Sequence, residues 1–132
     1  MNTTRLAVNG TLMRGLVLNP NLTAVGATFV TETTTEACYR LWSIDDVHPA
    51  MIRVTDNSGT AVALEVWDVP NDGIATVLGQ EPAGLSIGKV QLADGSTVLG
   101  VLGEPFLVEG KRDITEFGGW RAYTAAMTDT EG

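Results

Sequence analysis

Cysteine, histidine and basic residues are all scarce in this sequence, and each shortage closes off a line of function. Cys38 is the single cysteine, so no intramolecular disulfide can form and no thiolate cage can hold zinc. It stands in the strand-like run Ala37-Cys38-Tyr39-Arg40-Leu41-Trp42 with no basic residue directly beside it. That context fits a buried structural thiol better than a nucleophile. His48 is the single histidine, and one imidazole cannot build a His-rich metal site. With Asp45 and Asp46 before it and Pro49 after it, His48 reads as part of an exposed loop. Eight Lys and Arg stand against sixteen Asp and Glu, a net charge of −8. A chain this acidic repels phosphate backbones, which argues against nucleic acid as a partner. No apolar run reaches the length of a membrane span, and the polar opening Met1-Asn2-Thr3-Thr4-Arg5 is unlike a signal peptide. The expected setting is cytoplasmic, with no membrane partner. Phosphate-binding and dinucleotide fingerprints are also missing, so no cofactor and no metal are expected.

What the chain does have is enough apolar material for one core. Its 132 residues are 44% hydrophobic, which suits a single domain. We place that domain over residues 1–125 and expect 126–132 to be a flexible tail, because Thr128 to Gly132 offer nothing apolar to bury. Leu6-Ala7-Val8 reads as a strand running into the turn Asn9-Gly10-Thr11. Asn19-Pro20 reads as a helix cap and first turn, with Gly26 as the stop. Strands are expected over 27–30, 38–43 and 51–54, with a turn at Asp56-Asn57-Ser58-Gly59. The run Thr31-Glu32-Thr33-Thr34-Thr35-Glu36 is either a loop or an exposed sheet edge, and whether that edge pairs a second copy into a homo-oligomer stays open.

Residues 60–69 carry the clearest strand. Val62, Leu64 and Val66 alternate with Ala61, Ala63, Glu65 and Trp67, which defines two faces at period two. Pro70-Asn71-Asp72 suits entry to a helix over 74–78 that Gly79 closes. The segments 89–92 and 97–102 flank Ala93-Asp94-Gly95-Ser96, a hairpin signal. Asp113-Ile114-Thr115-Glu116 has the form of a capping box, and Gly118-Gly119 predicts that the helix after it is brief or broken. The pattern is α+β: about six strands with a few short helices. Fifteen glycines favour a tightly curved sheet or small mixed β-barrel.

Three stretches carry a family resemblance across most of the chain. Leu6-Ala7-Val8-Asn9-Gly10-Thr11-Leu12-Met13-Arg14-Gly15, followed by Leu18-Asn19, is the first. Pro82 to Gly95 is the second, and Asp113-Ile114-Thr115-Glu116-Phe117-Gly118-Gly119-Trp120-Arg121-Ala122-Tyr123 is the third. Together they resemble the C-terminal domain of allophanate hydrolase. The resemblance implies a γ-glutamylcyclotransferase-like barrel with a pocket beside the first loop. It also implies a place in the breakdown of urea-derived nitrogenous carboxylates, in which an amidase domain deaminates allophanate and the C-terminal domain promotes decarboxylation of N-carboxycarbamate. No amidase machinery can be assembled from this chain, so the expectation is a stand-alone domain whose partner is a separate amidase. The family's first-loop histidine is replaced by Thr11, which makes the loop closer to that of the cyclotransferases. Their catalytic glutamate corresponds to Glu81.

The candidate site follows from residue chemistry and resemblance together. Asn9-Gly10-Thr11-Leu12 suits an anion cradle, since a glycine turn lets backbone N–H groups converge and Thr11 adds a hydroxyl. The same residues also make an ordinary turn. Arg14 and Arg53 are forked cations matched to a carboxylate or carbamate, or else surface ion pairs in an acidic protein. Glu65, between Ala63 and Trp67 on a partly covered face, would have a raised pKa and serve as acid or base, or would be a rim carboxylate paired with arginine. Glu81 has the same two readings. Trp42 and Trp67 are core or pocket wall, and Trp120, within the third motif, is placed nearer the pocket. Three functions stay open: a carboxylate- or carbamate-binding decarboxylase-like domain, a non-catalytic module for a separate amidase, and a γ-glutamylcyclotransferase-type enzyme.

Overall fold

The computed structural model describes residues 2–131. Of the tail expected over 126–132, Gly132 lies outside them. Two sheets and three helices form the domain. The larger sheet holds β1 (Thr3–Val8), β2 (Thr28–Thr34), β5 (Ala63–Pro70), β6 (Leu85–Gln91) and β7 (Thr97–Gly103) in the order β2-β5-β1-β7-β6. The β1–β7 pairing is parallel and the others are antiparallel. A smaller antiparallel sheet has the order β4-β3-β8, from β3 (Tyr39–Ile44), β4 (His48–Arg53) and β8 (Arg112–Asp113).

The α+β class holds, but the sheets do not close into a barrel. The edges β2 and β6 approach at one end, where Thr35 bridges Leu92. The Ala93 N–H there donates to Thr34 O at 3.0 Å and the Glu36 N–H to Gln91 O at 3.0 Å. No ladder between β2 and β6 continues from that point, so the barrel expectation was too strong. The Thr-rich run is largely this edge strand.

β5 lies between β2 and β1 and is buried on both faces through Leu64, Glu65, Val66 and Trp67. Its alternation therefore separates two covered faces rather than a wet one from a dry one. Tyr39, Leu41, Met51, Val62 and Ile114 join it in the core, all at most 1% exposed.

Two local expectations are corrected. Asn19 is the first residue of α1 (Asn19–Ala24) rather than its cap, and its side-chain amide donates to Leu12 O at 2.8 Å. His48 is not in an exposed loop. Asp45 and Asp46 take φ of 56° and 60°, the Val47 N–H donates to Ile44 O, and a tight turn thereby folds His48 into the start of β4. Asp is among the residues that tolerate this left-handed backbone. Gly118 at φ 74° closes a short 3-10 turn, Thr115–Phe117, and a new helix, α3 (Trp120–Glu131), runs for twelve residues. The helix after the capping box is thus brief, as expected, and the glycine pair separates it from α3.

Candidate functional site

The loop 9–12 leaves the end of β1 and turns sharply against β4. A Cβ on Gly10 would lie 2.5 Å from Pro49 Cδ, so glycine is needed for the close approach. The carbonyls of Gly10, Thr11 and Leu12 are all engaged by nearby donors. Gly10 O accepts the Met13 N–H at 3.0 Å, Thr11 O the Leu18 N–H at 3.0 Å, and Leu12 O the Asn19 amide at 2.8 Å. The N–H groups of Gly10, Thr11 and Leu12 and the Thr11 hydroxyl, by contrast, donate to no other described residue. The loop thus has donors to spare while its acceptors are spent. Successive backbone N–H groups of this kind make an anion-binding concavity.

This loop lines a small cleft together with Val8, His48, Pro49, Glu81, Leu85 and Val101. Glu81 stands between α2 (Asn71–Gly79) and β6. Its carboxyl has no ion pair or hydrogen bond among the described residues, and burial pushes it up to about 7. It therefore exists as acid and as base near neutral pH. His48 is 7% exposed, and its Nδ1 meets Pro49 O at 3.0 Å.

The structure divides the remaining candidates. Asn9 lines the cleft, but its amide donates to Val101 O at 3.0 Å and fastens the loop to β7 instead of facing a ligand. Leu12 is buried and offers its backbone. Glu65 and Trp120 are not in the cleft. They line a separate groove of about 870 Å³ with Met13, Phe117 and Arg121.

Glu65 is 1% exposed and fully engaged. Its Oε1 accepts the Arg14 N–H at 2.9 Å and the Trp67 indole N–H at 3.1 Å, and its Oε2 accepts Arg14 Nε at 3.2 Å and Arg121 Nη2 at 3.1 Å. Burial, the largest single influence, pushes this carboxyl up. The Arg14 N–H, the Trp67 indole and the two guanidinium groups outweigh it and hold the carboxyl below its ordinary range. Of the two readings, the raised pKa does not hold, while the pairing with arginine does, at a buried position rather than a rim. Arg14 also pairs with Glu32 at 3.0 Å and lies over the Phe29 ring at 3.7 Å, so its charge is spent outside the cleft. Arg53 is exposed at the end of β4 and does not line the cleft.

Two participants were missed in the sequence. Arg121 gave a signal, since it adjoins Trp120 in the third motif. His48 would have been found by extending the 51–54 strand back to the Asp45-Asp46 turn.

Comparison with known proteins gives the chain's relatives. The family model described as allophanate hydrolase C-terminal domain matches residues 4–125. A uropathogenic E. coli-specific protein, c4763, is 61% identical with a TM-score of 0.93, over 95% of this chain and 98% of that one. Kluyveromyces lactis allophanate hydrolase is 33% identical with a TM-score of 0.91, over 96% of this chain but 22% of that one. The urea amidolyase of Saccharomyces cerevisiae is 34% identical over 133 aligned residues, 96% of this chain and 7% of its own length. The chain thus spans a small part of the curated relatives it matches. An AIG2-like protein from Mus musculus, at 16% identity and a TM-score of 0.62, shares the fold.

Proposed function

The chain belongs to the allophanate hydrolase C-terminal domain family, and we propose that its first-loop cleft binds a small carboxylate or carbamate and promotes its decarboxylation. The observation that carries this reading is the meeting of the donor loop 10–12 and Glu81 in one small cleft. A carboxylate oxygen takes the N–H groups of Gly10 to Leu12 and the Thr11 hydroxyl. As the C–N bond of a carbamate breaks, carbon dioxide leaves and the electron pair stays on nitrogen. The carboxyl of Glu81 protonates that nitrogen, and solvent restores the proton. Glu65, with its lowered pKa, positions the loop and moves no proton.

The names of the relatives support a substrate from urea and allophanate metabolism, and a separate amidase that supplies it. A second reading, cyclotransferase-type chemistry on a γ-glutamyl amine, is favoured by Glu81 lining the same cleft as Gly10 and Thr11.

Thermal-shift and tryptophan-fluorescence titrations with malonate, alongside γ-glutamyl amides, test both. Malonate should raise the melting temperature, because a ligand bound by the folded state alone stabilises it by mass action. Thr11→Val should weaken that response by roughly five- to tenfold, the worth of one hydrogen bond. Stabilisation by γ-glutamyl amides alone would transfer the cleft to the second reading. Silence from every compound would remove the cleft as a ligand site.

A further inference from the structure

We infer that His48 sets the specificity of this cleft, accepting through Nε2 a hydrogen bond from an N–H of the ligand, so that the ligand class is a small carboxylate that also carries an amide or carbamate N–H. The inference rests on the cleft being a carboxylate site. It starts from the tautomer of the ring. His48 Nδ1 lies 3.0 Å from Pro49 O, and a carbonyl oxygen can only accept, so Nδ1 holds the proton. In the neutral ring Nε2 is then an acceptor with its lone pair in the ring plane.

Nε2 has no partner among the described residues. No fully buried side-chain nitrogen or oxygen among them is unpaired, so Nε2 reaches the solvent. The ring is 7% exposed and lines the cleft. The loop presents N–H and O–H donors, and Glu81 adds one while it holds its proton; Asn9 Oδ1 and the Glu81 carbonyl oxygen are the cleft's other acceptors. The site therefore has donors for a carboxylate and, at His48, a fixed acceptor that a carboxylate cannot satisfy. A ligand bearing an N–H pairs with it. A ligand of the same shape bearing a methyl group displaces water from Nε2 and leaves it unpaired, which carries the larger penalty.

Oxamate and pyruvate provide the test, since they differ by an amide NH2 in place of a methyl group. Calorimetric titration at pH 6.5, where Glu81 is mostly protonated, should show oxamate binding at least tenfold more tightly. His48→Phe should bring the two within about twofold, and His48→Gln, whose side-chain carbonyl also accepts, should keep oxamate ahead. The 15N resonance of His48 Nε2 should move upfield with oxamate and stay in place with pyruvate, a readout that needs no variant. Equal binding of the pair to the unaltered protein, or a folded His48→Phe that still prefers oxamate, overturns the assignment while leaving the carboxylate site standing. Failure of both compounds and of malonate to bind removes the site and this assignment with it.

Discussion

Glu65 holds more of this molecule in place than any other charged side chain. Two carboxylate oxygens take four donors from β5, the first loop and α3, and Arg121 Nη2 also donates to Arg14 O at 2.6 Å. The arrangement is a buried anion whose desolvation is offset by charged and neutral donors. Removing the anion leaves an indole N–H and two guanidinium groups facing an apolar gap. Glu65→Ala should cost about 3–5 kcal/mol of stability, read as a lowered urea midpoint with an unchanged slope. Because its carboxyl is held below the ordinary range, Glu65 stabilises the fold above roughly pH 4, and the contribution fades as pH falls through its folded pKa. The Glu65→Ala protein should accordingly lose less stability than the parent between neutral pH and acid. A cost under about 1 kcal/mol, the size of an exposed pair, would contradict this account of Glu65.

At the scale of elements, what could be read in the sequence depended on whether its cause was local. The β6–β7 hairpin was legible because Asp94 and Gly95 make the turn themselves: the Asp94 carboxylate accepts the Ser96 N–H at 2.9 Å, and Gly95 takes φ 88°. The β3–β4 turn was not, since Asp45 and Asp46 do the work usually given to Asn-Gly, and a polar run was taken for a loop. Glu65 was read from strand alternation alone, which shows a covered face but not the two arginines that cover it. Gly10 was legible as a turn glycine but not as the seat of Pro49, a contact between residues far apart in the chain. That contact gives an element-scale prediction. Gly10→Ala should lower stability by about 1–3 kcal/mol through overpacking and abolish the malonate response, as the loop shifts to clear the Pro49 ring. Gly79→Ala, where an added Cβ meets nothing within 4 Å, should leave both unchanged. Parallel thermal-shift titrations of the two variants check this, and a full malonate response in Gly10→Ala would show that the close approach does not shape the cradle.

The cleft belongs to the whole molecule. Its walls come from the loop after β1, the start of β4, the connection from α2 to β6, and β7, so no short segment contains it and no spacing in the sequence announces it. Sequence pattern supplied the loop, and family resemblance supplied Glu81. It took the fold to bring His48 in and to leave Arg14 and Arg53 out. With the arginines elsewhere, an anion entering the cleft meets backbone donors and the Glu81 carboxyl rather than a guanidinium group. Binding should then depend on the state of Glu81. Its carboxyl, raised by burial to about 7, is a neutral donor below that pH and a repelling anion above it. Malonate affinity should be flat below pH 7 and fall toward tenfold per unit above it, because each binding event must then take up one proton. Glu81→Gln tests this directly. A glutamine stays neutral and keeps its donor, and the variant should bind malonate with little change between pH 6.5 and 8.5. A steep fall that persists in Glu81→Gln would mean that Glu81 does not supply the proton, and a flat profile in the unaltered protein would mean that Glu81 does not face the bound anion.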